Sequence, residues 1–462
     1  MASISKDTDE KSPVAYESVE ETAKDEAPIA AMEELGQGGF DEKATKRLLR
    51  KIDWNLLPLI TVLYLFLDRT NIGNARLANL EEDLNMTGLD YNISLAVFFP
   101  LYIASEIPSN LAMKRFRPSI WIPTIMIAWD ITQWYRRNEC GLRMALVFSS
   151  TTCAGAFGGL LARGIVEMDG VGNLAGWSWI FILEGLVTVV FAVIAYFFMH
   201  DYPSTARFLN EKEKNEVIRR LEHDRSILPD EFDLKYVKHA LKDWKIWWHM
   251  VMTIGLYTPP YAFALFAPTI VRDLGYTDNS AQLMSAPPYV VACLLCVLSG
   301  YFADKHGQRG IYIFGFSTLS VIGYILLMTV QSVPVRYLAC FLVAGGAFPN
   351  VPQSVAWNGN NIGGSVKRGV GIAMQIGFGN LGGVLSSFVY RNEDAPYFVR
   401  GHGTLLGLMV VSMCMCAFLS FWFRRENARR DRTYKKPEEY TIEEMTAHRE
   451  EGDNAPFFRY VV

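Results

Sequence analysis

RFRPSIWIPTIMIAWDITQWYRRNECGLR, Arg115 to Arg143, sets an apolar run between two basic clusters, and its length decides how the rest of the chain must lie. The run Ser119–Thr132 has fourteen residues, roughly 21 Å as a helix against about 30 Å for a hydrocarbon core. Lysine and arginine collect on the cytoplasmic side of membrane segments. Both flanks of this run are basic, so both belong on that side. A single crossing here would turn everything after it over and put the later basic loops outside. The chain therefore makes zero or two crossings at this point. Either the stub is re-entrant or interfacial, or a pair of helices has lost its middle.

Outward from the stub, apolar residues gather in runs of about twenty, the length that crosses a bilayer, such as Trp177–Met199 and Gly401–Phe423. Half of the 462 residues are apolar and the mean hydropathy is +0.13. The fold class is an all-α polytopic membrane protein. A membrane β-barrel needs short alternating segments, and the sequence has none. Ten full spans are expected, at 54–75, 92–113, 143–165, 177–200, 247–270, 285–303, 311–330, 335–356, 369–390 and 401–423. Trp54, Trp177, Trp179, Trp247, Trp248 and Trp422 stand at span ends, where amphipathic rings favour the headgroup layer.

Charge sets the orientation. One side collects Lys43–Lys51, Lys114, Arg115, Arg117, Arg136, Arg137, Arg143, the Lys212–Lys245 loop, Lys305, Arg309, Lys367, Arg368 and Arg424–Lys436. The other has mostly single charges: Arg76, Arg163, Arg272, Arg336, Arg391 and Arg400. Both termini are thus expected in the cytoplasm, with the plasma membrane as the location. The sequons led by Asn85 and Asn92 fall at the first outward loop and are candidate glycosylation sites. The acidic N-terminal tail, 1–50, lacks the apolar core of a cleavable signal, and its composition is that of a disordered segment. The net charge of −4 points to no nucleic-acid partner. Cys293 and Cys296 form a C-x-x-C inside an apolar run. Without further ligands they read as small packing residues rather than a metal or redox pair.

A hydrophilic loop, 201–245, divides the chain into an incomplete N-terminal transmembrane half, 51–200, and a C-terminal half, 246–423, followed by a cytoplasmic tail, 424–462. In the loop, DYPSTARFLNEKEKNEVIRRLEHDR (201–225) reads as an amphipathic surface helix with Ser204 as its cap. Six spans after a central loop suggest two six-helix halves, the plan of carriers built from repeats.

Several stretches resemble the major facilitator superfamily, in its fungal allantoate permease-like branch of anion:cation symporters. They are KIDWNLLPLITVLYLFLDRTNIGNARLANLEEDL (51–84), FFPLYIASEIPSNLAMKRFRPSIW (98–121), GWSWIFILEG (176–185), DYPSTARFLNEKEK (201–214), GYFADKHGQRG (300–310) and WNGNNIGGSVKRGVGIAMQIGFGNLGG (357–383). Together they cover nearly the whole chain. The branch's arginine-led fourth-helix motif is missing. The resemblance implies that roughly forty to fifty residues, about a hairpin of spans, are absent between Asp130 and Trp134. The first half then lacks one to two helices, and the stub is the join.

Ionisable groups inside a membrane are functional candidates because charge in lipid is costly. Asp68 and Arg69, with Asn71 and Asn74 beyond, either hold an anionic substrate or pass a proton, or pair for structure near the outer end of the first span. Arginine suits a carboxylate through its planar fork. Glu106, in IASEIPSN, is either a proton carrier, because burial raises a carboxyl pKa, or a structural group paired with a backbone amide or a loop arginine. Glu184 sits near the outer interface, where packing or gating competes with coupling. In the second half Trp357, Asn358, Asn360, Asn361, Gln375 and Asn380 mark either interhelical bonds or a wet cavity. The Asn-Gly and Gly-Gly pairs suggest a broken helix end. The resemblance assigns Gly300, Asp304, Gly307 and Arg309 to a gating turn. The expected function is alternating-access transport of a small organic anion (a carboxylate such as allantoate, nicotinate or a related vitamin), driven by protons, by a monomer with no organic cofactor. Export of a fungal secondary metabolite, or a non-transporting remnant or sensor, are the rival readings. No nucleophile–base set, phosphate loop or metal cluster points to an enzyme.

Overall fold

The computed structural model describes residues 40–66, 71–86, 89–97, 99–100, 134–136, 139–198, 203, 206–226, 233–395 and 397–462. The stub Ser119–Thr132, the N-terminal segment to residue 39, Asp68, Arg69, Glu106 and Ser204 lie outside them.

Helix α1 (Glu42–Phe66) begins well before the expected 54–75 span. Asp41 caps it by accepting the Ala44 N–H at 2.6 Å. Leu48, Ile52 and Leu56 form one buried stripe along it, while Trp54 is 79% exposed. An amphipathic lead-in of this kind needs no lipid, so hydropathy alone placed the start too late. Short helices α2 (Asn71–Leu77) and α3 (Leu80–Asp83) follow, then a helical segment over 90–97. Helices α4 (Cys140–Val166) and α5 (Gly176–Phe198) complete the described first half.

Between the halves stand α6 (Glu211–Ser226) and α7 (Leu234–Lys242). Asn210, not Ser204, caps α6. Its carboxamide oxygen accepts the Glu213 N–H at 2.8 Å, and its own N–H donates to the Glu213 carboxylate at 3.0 Å. That exchange satisfies two orphan groups at once. The "hydrophilic loop" is thus largely helical.

The second half runs α8 (Trp244–Asp273), α9 (Asp278–His306), α10 (Gly310–Thr329), α11 (Val333–Ala347), α12 (Asn350–Asn360), α13 (Ser365–Val389) and α14 (Val399–Thr433). The expected 335–356 span is broken at Phe348–Pro349. Asn350 repairs the break, donating to the Gly346 carbonyl at 2.9 Å and to Ser317 Oγ at 3.0 Å. Among the described residues seven stretches are long and apolar enough to cross a membrane. They are α4, α8, Ser280–His306 within α9, α10, Val333–Asn360 across α11 and α12, α13 and α14. On α5, Leu186, Val189 and Val193 are exposed, and an apolar residue facing outward on an apolar helix faces lipid.

Successive helix ends alternate between two faces. One carries the Asp304–Arg309 turn and the starts of α4, α8 and α13. The other carries the ends of α4, α8 and α13. Residue 92 lies at this second face, because the Asn92 carboxamide donates to the Ser387 carbonyl near the end of α13. Asn92 is also 7% exposed, which removes it as a glycosylation site. Asn85, at φ 50°, sits exposed in the turn after α3.

The halves meet mainly along α4 and α9. A Cβ on Gly300 would lie 2.5 Å from Ala145 Cβ, and one on Gly159 would lie 3.0 Å from the Gln282 carbonyl. Glycine lets the two backbones approach where hydrophobic force is absent. The same seam brings Cys153 Sγ to 3.3 Å from Cys293 Sγ. Cys296 instead points to the Ala145 carbonyl at 3.6 Å. The cysteine pair is therefore between the halves, not within the C-x-x-C.

Copper phenanthroline with dioxygen is expected to join Cys153 to Cys293 in the folded protein. Mass spectrometry of a non-reduced digest reads the linked peptides, and Cys153→Ser abolishes them. A Cys293–Cys296 link in their place would show that α4 and α9 pack in another register.

Candidate functional site

The polar groups of the second half are gathered on α8, α12 and α13. Asn358 donates to Gln375 Oε1 at 2.9 Å, and Gln375 donates to Thr253 Oγ1 at 2.9 Å. Thr253 closes the chain by donating to the His249 carbonyl one turn below, at 2.6 Å. Asn358, Gln375, Thr253 and His249 are all buried. Of the two readings the sequence left open, this cluster is interhelical bonding. Each amide spends its capacity on a neighbouring helix, where an unmet polar group would be expensive. Thr253 and His249 carry no sequence signal, being single polar residues in an apolar run. Neither ring nitrogen of His249 has a hydrogen bond among the described residues, and its ring stands edge-on to Trp357 at 5.1 Å.

Asn380, one and a half turns beyond Gln375, accepts from the Tyr261 hydroxyl at 2.6 Å. The Tyr261 ring meets Phe99 of the first half edge-on at 5.6 Å, and Tyr257 lies 6.4 Å from Tyr261. A Cβ on Gly379 would meet the Tyr257 ring at 2.6 Å. Here a hydroxyl, a carboxamide and three aromatic faces converge at the boundary of the halves. Of the predicted second-half amides, Asn380 is the one bonded to Tyr261 there. Trp357 and Asn361 face away from it. Trp357 Nε1 donates to the Val461 carbonyl at 2.9 Å, and Asn361 Nδ2 donates to the same carbonyl at 2.9 Å. Helix α12 does end at Asn360, and the chain turns through Gly364 at φ 86°. A left-handed position of that kind favours glycine.

In the first half, Asn71 begins α2 and Glu184 lies half-buried in α5. Asp68, Arg69 and Glu106 fall outside the described residues.

The turn at one face is better defined. Gly307, at φ 61°, ends α9 in the left-handed conformation. This brings Arg309 back so that its guanidinium pairs with Asp304 and donates to Gln353 Oε1 at 2.9 Å. Gln353 in turn donates to Ser299 at 3.3 Å. The other Asp304 oxygen accepts the Leu142 N–H at the start of α4, at 2.6 Å. The carboxylate thus crosses from one half to the other, onto a helix N-terminus whose free N–H groups attract negative charge. Gly141 is required beside it, since a Cβ there would overlap both Arg309 and Asp304. On the same face Arg143 grips Asp53 through two bonds of 2.7 and 3.0 Å, tying α4 to α1. Gly300, Asp304, Gly307 and Arg309 are thereby brought together. Gln353 and the Leu142 N–H complete the set, and neither is distinguishable in sequence from its neighbours.

Gln375→Leu is expected to leave Asn358 and Thr253 without their shared partner, at about 1–3 kcal/mol for each buried group stranded. The thermal midpoint of the purified protein in detergent should fall by several degrees. An unchanged midpoint would mean the amide chain is not formed.

Residues 131–387, more than half of the chain, match the Major Facilitator Superfamily. The chain is 33% identical to the MFS-type transporter cnsO of Penicillium expansum, over 96% of each protein. It is 31% identical to an uncharacterised transporter of Schizosaccharomyces pombe, over 85% of this chain and 90% of that one. Among solved structures, a bacterial homologue of the human lysosomal transporter Spinster, inward-facing and occupied, superposes with a TM-score of 0.50. The two share 12% identity, with 79% of this chain and 96% of that chain covered, so the likeness concerns the fold alone. The glycine-lined seam, the gate-like turn and these matches agree: this chain belongs to the major facilitator superfamily, and is a multi-pass membrane transporter.

Proposed function

We propose that the chain is a proton-coupled carrier of a small organic anion, of the allantoate permease-like branch, working by alternating access. The single observation that supports the mechanism is the pair of separable contact sets between the halves. At one face Asp304 holds the start of α4. At the other Asn92 holds the end of α13. Tyr261, Asn380 and Phe99 lie between. Breaking one set while keeping the other exposes the middle to one side at a time, which is what a carrier built from two bundles requires.

The anionic class rests on Arg69 in the first span, and the proton on Glu106 and Asp68, read from sequence. A fixed guanidinium in a low-dielectric path favours a carboxylate. Tyr261 and Asn380 would orient the apolar or amide body of the substrate. The basic face, with Lys245, Arg309 and Lys367, is assigned to the cytoplasm by the distribution of lysine and arginine. That assignment puts both termini inside and Asn85 outside, where it is available for glycosylation. The plasma membrane is the proposed location and the monomer the proposed unit.

A second reading concerns the join near Asp130. The alignment with the Penicillium expansum relative runs over 499 positions, against 462 residues here, so at least 37 of them have no residue in this chain. That excess supports a missing segment. Sequencing the transcript across Asp130–Trp134 distinguishes a lost hairpin from a complete chain. A complete transcript without the hairpin, joined to failed uptake, would favour a remnant or sensor.

Uptake of radiolabelled carboxylates by cells or vesicles tests the main reading. Acidifying the outside should increase accumulation, and Arg69→Gln should lower it about tenfold or more, the loss of one charge-assisted pair. Efflux driven from inside, with no uptake at any outside pH, would replace import with export of a small product.

A further inference from the structure

Residues 434–462 do not trail away from the membrane domain. Asp453 is 0% exposed. Its carboxylate lies between Lys245 of α8, on one oxygen, and Lys367 of α13, 2.6 Å from the other. Lys367 also meets Asp243 at 2.6 Å. Two buried ammonium groups and two carboxylates therefore balance, and they balance only with Asp453 in place. A buried charge without its partner is strongly destabilising, so this site is built to be filled.

The residues after Asp453 are held just as closely. Arg430, near the end of α14, donates to the carbonyls of Asp453, Ala455 and Phe458 at 3.1, 3.2 and 2.9 Å. Tyr460 stacks on Phe423 with ring centres 4.8 Å apart, and its hydroxyl meets Lys245 at 3.0 Å. Asn427 exchanges two hydrogen bonds with the Tyr460 backbone. The Val461 N–H donates to Asn361 at 2.7 Å, and its carbonyl takes both Asn361 and Trp357. The Val462 carbonyl accepts the backbone N–H of Arg309 at 2.7 Å. The last contact matters most. Arg309 is the residue whose guanidinium pairs with Asp304, and Asp304 reaches α4. A displaced Arg309 backbone would carry that guanidinium off its partners.

We propose that residues 453–462 are an intramolecular ligand of the second half, whose docking positions Arg309 and so holds the basic-face gate shut. Undocked, the Lys245–Lys367 site is short of one negative charge. Trp357, Asn361 and the Arg309 N–H also lose their acceptors and donors. The gate turn loosens and this face opens. The proposal rests on the alternating-access reading above. Burial pushes the Asp453 carboxyl up, but the charges of Lys245 and Lys367 outweigh it and hold the carboxyl below the usual aspartate range. Among the described residues, Asp243, Tyr460 and Arg430 are the other charged or titratable groups in contact with this site. A lowered folded-state value means the clasp is present above the ordinary aspartate pKa of about 3.9. It is lost only as pH falls through the lowered value, so at neutral pH docking is not released by protonation of this group.

Cys140 reports the gate without any substrate. It is the first residue of α4 and 2% exposed, with its thiol bonded to the Arg136 carbonyl at 3.2 Å. Cys340, in α11, is 0% exposed and serves as the control for unfolding. The full chain in vesicles is treated from the basic face with a membrane-impermeant maleimide, and each cysteine is quantified by peptide mass spectrometry. Asp453→Asn should raise Cys140 labelling about tenfold, within the usual span of coupling between sites, with Cys340 still protected. A Cys153→Ser chain carrying Asn361→Cys and Val461→Cys, cross-linked by a bis-maleimide, should label Cys140 several-fold more slowly than before cross-linking. Wild-type labelling of Cys140 in both proteins would overturn the proposal. If Asp453→Asn exposes Cys340 as well, the cross-linked protein decides alone: slower labelling supports the docked gate, and unchanged labelling rejects it. Failed uptake with this labelling pattern intact would count against the carrier reading, not against the docking.

Discussion

Asp304 accepts a hydrogen bond from the Leu142 N–H across the boundary of the two halves while it pairs with Arg309. Among the described residues, that carboxylate joins a second-half turn directly to a first-half helix end. Its geometry needs several things at once. Gly307 must turn left-handed, Gly141 must lack a side chain, and Arg309 must be held so that its guanidinium faces inward. Gln353 and Ser299 brace the guanidinium from α12 and α9. A contact with so many conditions is easily broken by a small displacement of any one of them. That sensitivity suits a gate, which must hold firmly in one state and give way in another.

The same economy of charge organises the rest of the basic face. Arg143 with Asp53, Arg220 with Glu139, and the Lys245–Lys367 site with Asp243 and Asp453 each bring a positive group to a negative one at a helix end. Within the bundle the currency changes from charge to neutral hydrogen bonds. Asn358, Gln375 and Thr253 form a chain in which each group is satisfied by the next helix, and Tyr261 with Asn380 does the same nearer the seam. Glycine replaces apolar attraction as the means of close approach, because lipid tails compete equally for any apolar surface. The second half thus carries polar contacts between its helices as well as apolar packing, and it meets the first half along a seam where Gly155, Gly159 and Gly300 allow close approach.

Much of this was legible in residue order because a bilayer imposes lengths. A helix must be about twenty apolar residues long to cross, so α4, α5, α8, α10, α13 and α14 can be read directly. Charge placement adds direction, and it demanded the alternation of helix ends that α8 to α14 display. The Asp304–Arg309 turn was legible because its glycines and charges are packed into eleven residues. The lead-in of α1, the break at Phe348–Pro349 and the two helices of the central loop were not. They depend on burial against other elements, which hydropathy averaged over one strand of sequence does not sense.

By itself the sequence determined the membrane class, the lengths of most helices and their alternating direction, because each follows from local composition against a slab of fixed thickness. Only the tertiary structure decided the partners. It turned Trp357 and Asn361 from candidate substrate contacts into anchors for Val461. It paired Cys293 with Cys153 rather than with its near neighbour in the chain. It converted Asp453 from one acidic residue in a polar tail into the buried counter-charge of Lys245 and Lys367. Each of these joins residues 86 or more positions apart. What brings them together is the mutual satisfaction of buried polar groups, a property of the folded whole that no window of the sequence contains.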